Sequence, residues 1–469
     1  MSSRGIDIVA GKPSSRGGVF GPEYAALTLA LVSLILVIAF ESMAVSTAMP
    51  EVALELDAVR SYGLAFSVML TTQLLGIVLA GVWCDRSGSL PSLLTGQGLF
   101  ALGCGICGAS TDFTPFLLGR AVAGLGAGLT FVAGFVLIGR TYPESLRPKV
   151  FSVISAAWVL PSLVGPVIAG WVTSTWSWRW VFWMVIAPVA AALVVLLVRR
   201  GQIRASDSSV DASSRDHGSH VRAAWLGLGI AVSAGVMQWG THELELTWSV
   251  QTVAALLGLV GVFVCAPLLL PAGTFTMRRG LSSVMISRFF LPCAFFGTIT
   301  YIPLMLTGER GLTLAQAGSV LAIGSIGWSL GSWIQGRDRF SGARDRLVSL
   351  GGAALAAGLL GVVVVTWAGW WPWLIAAPLA VAGMGMGMGT ASLSVLALSL
   401  TAPSDHGSAS SNLQLSDVLG SVIGIAATGA VFAALHTRAG KDVPAFVAMW
   451  LGTAAVATLV IVAGRRIRA

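Results

Sequence analysis

Long apolar runs alternate with short polar stretches from residue 26 to residue 464. A helix needs about 20 predominantly apolar residues to cross the hydrocarbon core of a bilayer, and runs of that length recur along the chain. The pattern leaves no room for a soluble domain and predicts an all-α membrane protein. The predicted transmembrane helices number fourteen and lie near residues 26–48, 61–83, 91–110, 114–138, 150–171, 179–198, 223–240, 248–270, 281–304, 315–335, 347–367, 372–400, 411–434 and 445–464.

The composition agrees with that class of protein. Hydrophobic side chains make up 55% of the 469 residues and charged side chains only 10%, whereas about a quarter of the residues in soluble domains are charged. Residues 1–22 are polar, rich in Gly and Ser and weakly basic, so we expect a disordered cytoplasmic tail there. The sequence contains no phosphate-binding loop and no clustered metal ligands, so we expect neither a cofactor nor an enzyme activity.

The distribution of Lys and Arg orients the predicted helices, because cytoplasmic loops carry an excess of these residues. With the N-terminus inside, fourteen spans place 22 of the 28 in cytoplasmic segments, including the loop 199–222, five in outer loops and Arg120 inside a helix. In this count Arg288 belongs to the cytoplasmic segment that precedes the span 281–304. Both termini are therefore predicted to be cytoplasmic. Omitting residues 223–240 and 248–270 together preserves the bias, so twelve spans remain an alternative. Topology thus accounts for the net charge of +8, and we expect no nucleic-acid partner.

Two acidic residues, Glu41 and Asp417, fall inside predicted spans. An ionisable group at the centre of a span costs about 2.5–3.5 kcal/mol or more, so such groups usually face a water-filled cavity and mark substrate or proton pathways. Glu41 is therefore a candidate proton-coupling residue, with hydrogen bonding between helices as the alternative. Asp417 is about six residues from the cytoplasmic end of its span. Both proton coupling and a simple interfacial position remain open for it.

Further motifs lie at helix ends or within spans. The segment "GVWCDRSGSLPSLL" follows the second span, "FLLGRAVAGLGAG" lies in the fourth and "WVLPSLVGPVIAG" in the fifth. Arg120 of the fourth span is a cation in an otherwise uncharged helix, so it must face a partner or water. It either stabilises a nearby charged acid or anchors the helix. In the fifth span, Gly165 and Pro166 permit a kink, and Gly170 permits close approach of another helix.

The segment "GMGMGMG" at 383–389 combines small residues four positions apart with flexible thioethers. Small residues at this spacing favour tight helix packing in membranes. Methionine also suits adaptable apolar surfaces. The segment is therefore interpreted either as a packing face or as the lining of a pocket by Met384, Met386 and Met388.

Together these segments resemble the major facilitator superfamily, and the resemblance extends over nearly the whole chain. The stretch "ESMAVSTAMP", which begins at Glu41, and "WSWRWVF" at the sixth span are similar to the fourteen-span drug:proton antiporters of that family. Its loop signature G-x-x-x-D-R-x-G is matched by Gly81, Asp85, Arg86 and Gly88, its pattern R-x-x-x-G-x-G by Arg120, Gly124 and Gly126, and its antiporter pattern by Gly165, Pro166 and Gly170, with Pro161 in place of the usual first Gly.

The resemblance implies a major facilitator fold with two six-helix halves, residues 23–198 and 271–469, and two accessory helices in residues 223–270. It implies proton-coupled export of amphipathic small molecules, including drugs, across a bacterial plasma membrane, with protons and the lipid bilayer as further partners. In this scheme Asp85 forms a charge-assisted contact with a nearby basic residue at a cytoplasmic gate, and this contact breaks when the two halves move. Alternatives are export of a lipid, siderophore or metabolite and, outside transport, a channel or membrane enzyme.

Overall fold

The computed structural model describes residues 18–143, 146–208, 217–241, 249–401, 406–436 and 442–468. These ranges form seventeen α-helices and two short 3-10 segments, Asp338–Ala343 and Pro372–Ile375. The helices are α1 Ala25–Glu55, α2 Tyr62–Ser87, α3 Ser89–Ala109, α4 Phe113–Thr141, α5 Arg147–Thr175, α6 Arg179–Trp183, α7 Ile186–Val198, α8 Arg200–Ser208, α9 His217–Thr241, α10 Val250–Leu269, α11 Leu281–Ile299, α12 Ile302–Gly308, α13 Leu314–Gln335, α14 Arg344–Trp367, α15 Ala376–Ser399, α16 His406–Leu435 and α17 Val443–Arg465.

The number of membrane spans agrees in part with the sequence prediction. Among the described residues, twelve helical segments are long and apolar enough to cross a bilayer. Two predicted spans, 150–171 and 223–240, coincide with α5 and α9, which are outside this set of twelve. The all-helical class is confirmed, whereas fourteen spans stay a prediction.

The same packing pattern occurs in the first and last thirds of the bundle. In the first, α3 and α2 pack on α4, and α1 packs on α5. In the last, α14 and α13 pack on α15, and α11 packs on α16. In each set one helix, α4 or α15, lies between two neighbours, and a second pair of helices, α1 with α5 or α11 with α16, completes the set. We call these two sets the first repeat and the last repeat. Internal repeats of this kind are typical of secondary transporters, whose central sites lie where the repeats meet.

Helices from the two repeats touch closely along two seams. In one, α5 packs on α13, and a Cβ added to Gly318 would stand 2.5 Å from the Pro166 carbonyl oxygen. In the other, α2 packs on α16, and the Tyr301 hydroxyl lies near Gly63 and Gly429. These contacts lie near the helix ends that the charge distribution assigns to the outer side. We call them the outer seams, and they close the bundle at that end.

The hairpin of α9 and α10 lies beside the second seam. Its α9 packs mainly against α2, where Gln238 donates a hydrogen bond of 2.6 Å to Thr71 Oγ1, and to a smaller extent against α16. Apolar side chains of both hairpin helices form a cluster with Leu74 of α2 and with residues of α11 and α16. The hairpin therefore bridges the two repeats.

Candidate functional site

A buried ion pair joins α1 and α4 in the interior of the first repeat. Glu41 lies near the middle of α1, and its side chain is 0% exposed; Arg120 of α4 is 2% exposed. Arg120 Nη1 donates a hydrogen bond to Glu41 Oε1, and Arg120 Nε donates one of 2.9 Å to the Ala65 carbonyl oxygen. The structure thus brings together the two charges that the sequence singled out in separate spans.

The Glu41 carboxyl group is only half satisfied. Its second oxygen, Oε2, is buried and has no hydrogen-bond partner among the described residues. A buried charged oxygen without a hydrogen-bond donor from the protein is costly, because no protein group replaces its lost hydration. Protonation of Glu41 would remove this charge and weaken the attachment of Arg120.

A second ion pair joins α11 and α16 in the last repeat. Arg288 Nε lies 2.9 Å from Asp417 Oδ1, and Arg288 Nη1 donates a hydrogen bond of 2.9 Å to the Thr390 carbonyl oxygen of α15. The charge count above assigned Arg288 to a cytoplasmic loop, and this assignment is wrong because the residue lies inside α11. Its position within the predicted span 281–304 was the signal that could have identified it.

The gate motif lies where α2 ends and α3 begins. Gly81, Asp85 and Arg86 belong to the last turns of α2, and Gly88 connects the helices with a φ of 84°. That backbone conformation strongly favours glycine, because other side chains clash there. Arg86 is exposed. The Asp85 side chain lies outside what the structure describes, so its contact with a basic partner stays a prediction.

The antiporter motif lies along α5 and reaches an outer seam. Pro161, Gly165, Pro166 and Gly170 are all buried. A Cβ added to Gly170 would stand 2.6 Å from Ala315 Cα of α13, whereas one added to Gly165 would stand 3.4 Å from Met43 Cβ of α1. Gly170 therefore allows the backbones of α5 and α13 to touch. At Gly165 a Cβ would make only an ordinary van der Waals contact with α1.

The methionines of α15 belong to a closely packed helix. Met386 is fully buried in a cluster with residues of α11 and α14, Met388 is buried, and Met384 is half-buried. Gly383 and Gly387 face the backbone of α13 and Gly385 faces that of α14, whereas Gly389 faces the Leu291 side chain of α11. Close packing is what these contacts support, while pocket lining by the three methionines stays a prediction.

Comparisons with known proteins agree with this architecture. The family model described as Major Facilitator Superfamily matches residues 31–425. A multidrug efflux pump of Staphylococcus aureus, SdrM, is 24% identical over 405 residues, which cover 86% of this chain and 89% of the pump. The multidrug transporter protein MdtP of Bacillus subtilis is 24% identical over 319 residues, which cover 66% of this chain and 58% of that protein.

Solved structures show the same fold. A crystal structure of the peptide transporter POT in complex with sulfate superposes with a TM-score of 0.67 at 15% sequence identity, covering 96% of each chain. A bacterial homologue of the human lysosomal transporter Spinster, in an inward-facing and unoccupied conformation, gives a TM-score of 0.60 at 14% identity and covers 95% of this chain and 96% of that one. With its repeated bundle and a family match that spans most of its length, this chain belongs to the Major Facilitator Superfamily and is a membrane transporter.

Proposed function

We propose that this transporter is a proton-coupled antiporter that exports amphipathic small molecules, including drugs, by alternating access. The observation that carries the proposal is the ion pair of Glu41 and Arg120, a carboxyl group and a guanidinium cation buried together in the interior of the first repeat. Ionisable residues in spans are expensive, and proton relays are among the functions that retain them. The multidrug relatives support the substrate class.

The geometry suggests how a proton would act on the bundle. In the closed arrangement Arg120 links Glu41 of α1 to the Ala65 carbonyl group of α2, so three helices meet at one guanidinium. A proton on Glu41 would cancel the attraction and leave Arg120 held by the carbonyl alone. The contact between α1 and α4 would then weaken, and this would bias the two repeats toward the other orientation. Asp417, which is also paired with a cation, is a candidate for a second coupling acid.

The proposal also includes the number and orientation of the spans, the branch of the family and the location of the protein. We infer fourteen spans with both termini cytoplasmic, the drug:proton antiporter branch of the family, and the plasma membrane of a bacterium as the location. Exposed apolar side chains on α9 and α10, among them Val232, Trp239, Leu257 and Phe263, support a hairpin that faces lipid. Export of a lipid, a siderophore or a metabolite would use the same fold. This alternative would be recognised by saturable flux of the lipid, siderophore or metabolite and by the absence of transport of drug-like amphiphiles.

The coupling role is tested with Glu41→Gln, which keeps the size and hydrogen-bonding capacity of the side chain and removes the titratable charge. In proteoliposomes with an imposed pH gradient, we expect the variant to lose uphill transport while it still binds a neutral substrate. Glu51→Gln is the matched control, because Glu51 is an exposed acid on the same helix. Substrate-dependent proton movement at the wild-type level in Glu41→Gln would remove Glu41 from the mechanism.

A further inference from the structure

Helices α7 and α8 continue one another at the end of the first repeat that the charge distribution assigns to the cytoplasm. The Arg199 amide between them donates a hydrogen bond of 3.0 Å to the Val195 carbonyl oxygen, and the Ile203 amide donates one of 3.2 Å to the Arg199 carbonyl oxygen. The helical register therefore carries across the junction. Ile203 is fully buried and lies in the same apolar cluster as Ala192 and Leu196 of α7. The buried side of α7 thus continues into α8 and holds α8 against the bundle.

A second side of this helical run faces α3. A Cβ added to Gly105 of α3 would stand 3.9 Å from Ile186 Cδ1, so Ile186 is on the side of α7 that is nearest α3. Residues seven positions apart share a face of a helix, with a drift of about 20° per heptad. Leu193 and Arg200 therefore follow Ile186 on this side, and Arg204 is one turn beyond Arg200. The side that faces α3 is apolar along α7 and ends in two arginines.

The space between α3 and α7 is a shallow groove on the perimeter of the bundle. Gly98 is two turns of α3 from Gly105 and thus on the same side, and a Cβ added to it would have no atom within 4 Å. Gly98 is exposed, as are Ala190 and Leu197 on the other wall. Helix α3 carries no charged side chain. The acyl chain of a lipid can therefore lie in this groove without meeting a charge.

The two arginines at the end of the groove have no counter-charge from the described part of the chain. Arg200 and Arg204 are exposed, and neither forms an ion pair with another described residue. The segment 199–208 contains three arginines and one acid, Asp207. Guanidinium groups suit phosphate, which can accept two parallel hydrogen bonds from each of them. Basic residues directly on the cytoplasmic side of a span also attract anionic lipids.

We propose that the groove between α3 and α7 is a binding site for an anionic phospholipid of the cytoplasmic leaflet. Its phosphate binds Arg200 and Arg204, and one acyl chain lies beside Gly98. Gly98 is nine residues from the start of α3, or about 14 Å along the helix axis, and one leaflet of the hydrocarbon core is about 15 Å deep. The groove therefore has the depth of one lipid. This site is on the perimeter and does not depend on the proposed export function.

The test is native mass spectrometry of the purified full chain, titrated with phosphatidylglycerol or with phosphatidylcholine of the same acyl chains. We expect the wild type to bind phosphatidylglycerol more tightly. Each arginine at a membrane surface strengthens the attraction of anionic lipid about fivefold, so Arg200→Gln with Arg204→Gln should weaken phosphatidylglycerol binding about thirtyfold and phosphatidylcholine binding less than about twofold. Arg200→Lys with Arg204→Lys keeps both charges and should keep most of the preference for phosphatidylglycerol.

A matched pair of arginines distinguishes a site from a diffuse positive surface. Arg465 and Arg466 are exposed where α17 ends on the same side of the membrane. Arg465→Gln with Arg466→Gln should leave the affinity for phosphatidylglycerol within about twofold of wild type. Equal losses in the two double Gln variants would show that any surface arginine serves, and the inference would be overturned.

The groove itself is tested by Gly98→Leu, which changes no charge. The added side chain would fill the space beside α7 and should weaken binding of both lipids. Gly452→Leu is its control, because Gly452 of α17 is exposed and has equally open surroundings. Unchanged lipid binding in Gly98→Leu would overturn the assignment of the acyl chain to this groove. Melting temperatures without added lipid report folding, and Gly98→Leu serves if the double Gln variant is unstable.

Two other occupants would give different results in the same experiment. Soluble glycerol phosphate has the anionic group without the acyl chains. If it binds as tightly as phosphatidylglycerol, the arginines hold a free anion and the inference is wrong. A lipid-free dimer that Gly98→Leu abolishes would place a second copy of the chain in the groove, with the same consequence.

Discussion

Gly170→Ala is expected to open the outer seam between α5 and α13. The added Cβ would stand 2.6 Å from Ala315 Cα and 2.7 Å from Ala315 N, both backbone atoms that cannot rotate away. Ordinary contacts of a Cβ begin at 3.4 Å, so the two helices must separate by about 0.8 Å. The substitution therefore penalises the closed arrangement of the seam and has no such effect once the helices are apart.

The size of the effect follows from packing energies. Overpacking of a close contact costs about 1–3 kcal/mol, which corresponds to roughly a 5- to 150-fold change in the ratio of open to closed forms. Alanine also favours a helix over glycine by about 1 kcal/mol, but this gain applies to both forms and cancels in their ratio. Gly165→Ala has the same helix gain with a 3.4 Å contact to Met43 Cβ and is the matched control.

The assay uses a cysteine in place of Thr47, which is fully buried beside Gly318 in the closed seam. In a background without the native cysteines, we measure its labelling by a membrane-impermeant maleimide added from outside. Gly170→Ala should raise the labelling rate within the range given above, and Gly165→Ala should leave it near wild type. Equal rates in the two variants would refute the idea that the Gly170 contact controls opening of this end.

Two further predictions concern the last repeat and the hairpin. Gly424→Ala should lower the free energy of unfolding by about 1–3 kcal/mol, because its Cβ would stand 2.8 Å from Cys293 backbone carbon atoms. A Cβ added to Gly452 would have no atom within 4 Å. Gly452→Ala should therefore be neutral or stabilising in the same thermal melt. A cysteine introduced between residues 242 and 248 should react with an impermeant reagent from outside the cell, as the fourteen-span topology requires, and reaction only from the cytoplasmic face would rule that topology out.

Much of the architecture could be predicted from the sequence. Apolar runs of spanning length predicted helices whose positions agree with the structure, because a lipid-facing backbone must satisfy its own hydrogen bonds and can do so as a helix. The same reasoning singled out Glu41 and Arg120, since a charge inside an apolar run is conspicuous wherever it lies. Arg288 was overlooked although it lies inside a predicted span, because it was counted with the basic residues of the preceding loop.

The partners of these charges were decided by the tertiary structure alone. Glu41 and Arg120 are 79 residues apart, and Arg288 and Asp417 are on helices separated by four others. Periodicity identifies which face of a helix is apolar, but it carries no information on which distant helix packs against that face. Tertiary packing also decided that the first pair is sealed and the second more open, with side-chain exposures of 14% for Arg288 and 25% for Asp417, because exposure depends on how completely the neighbouring helices enclose each side chain.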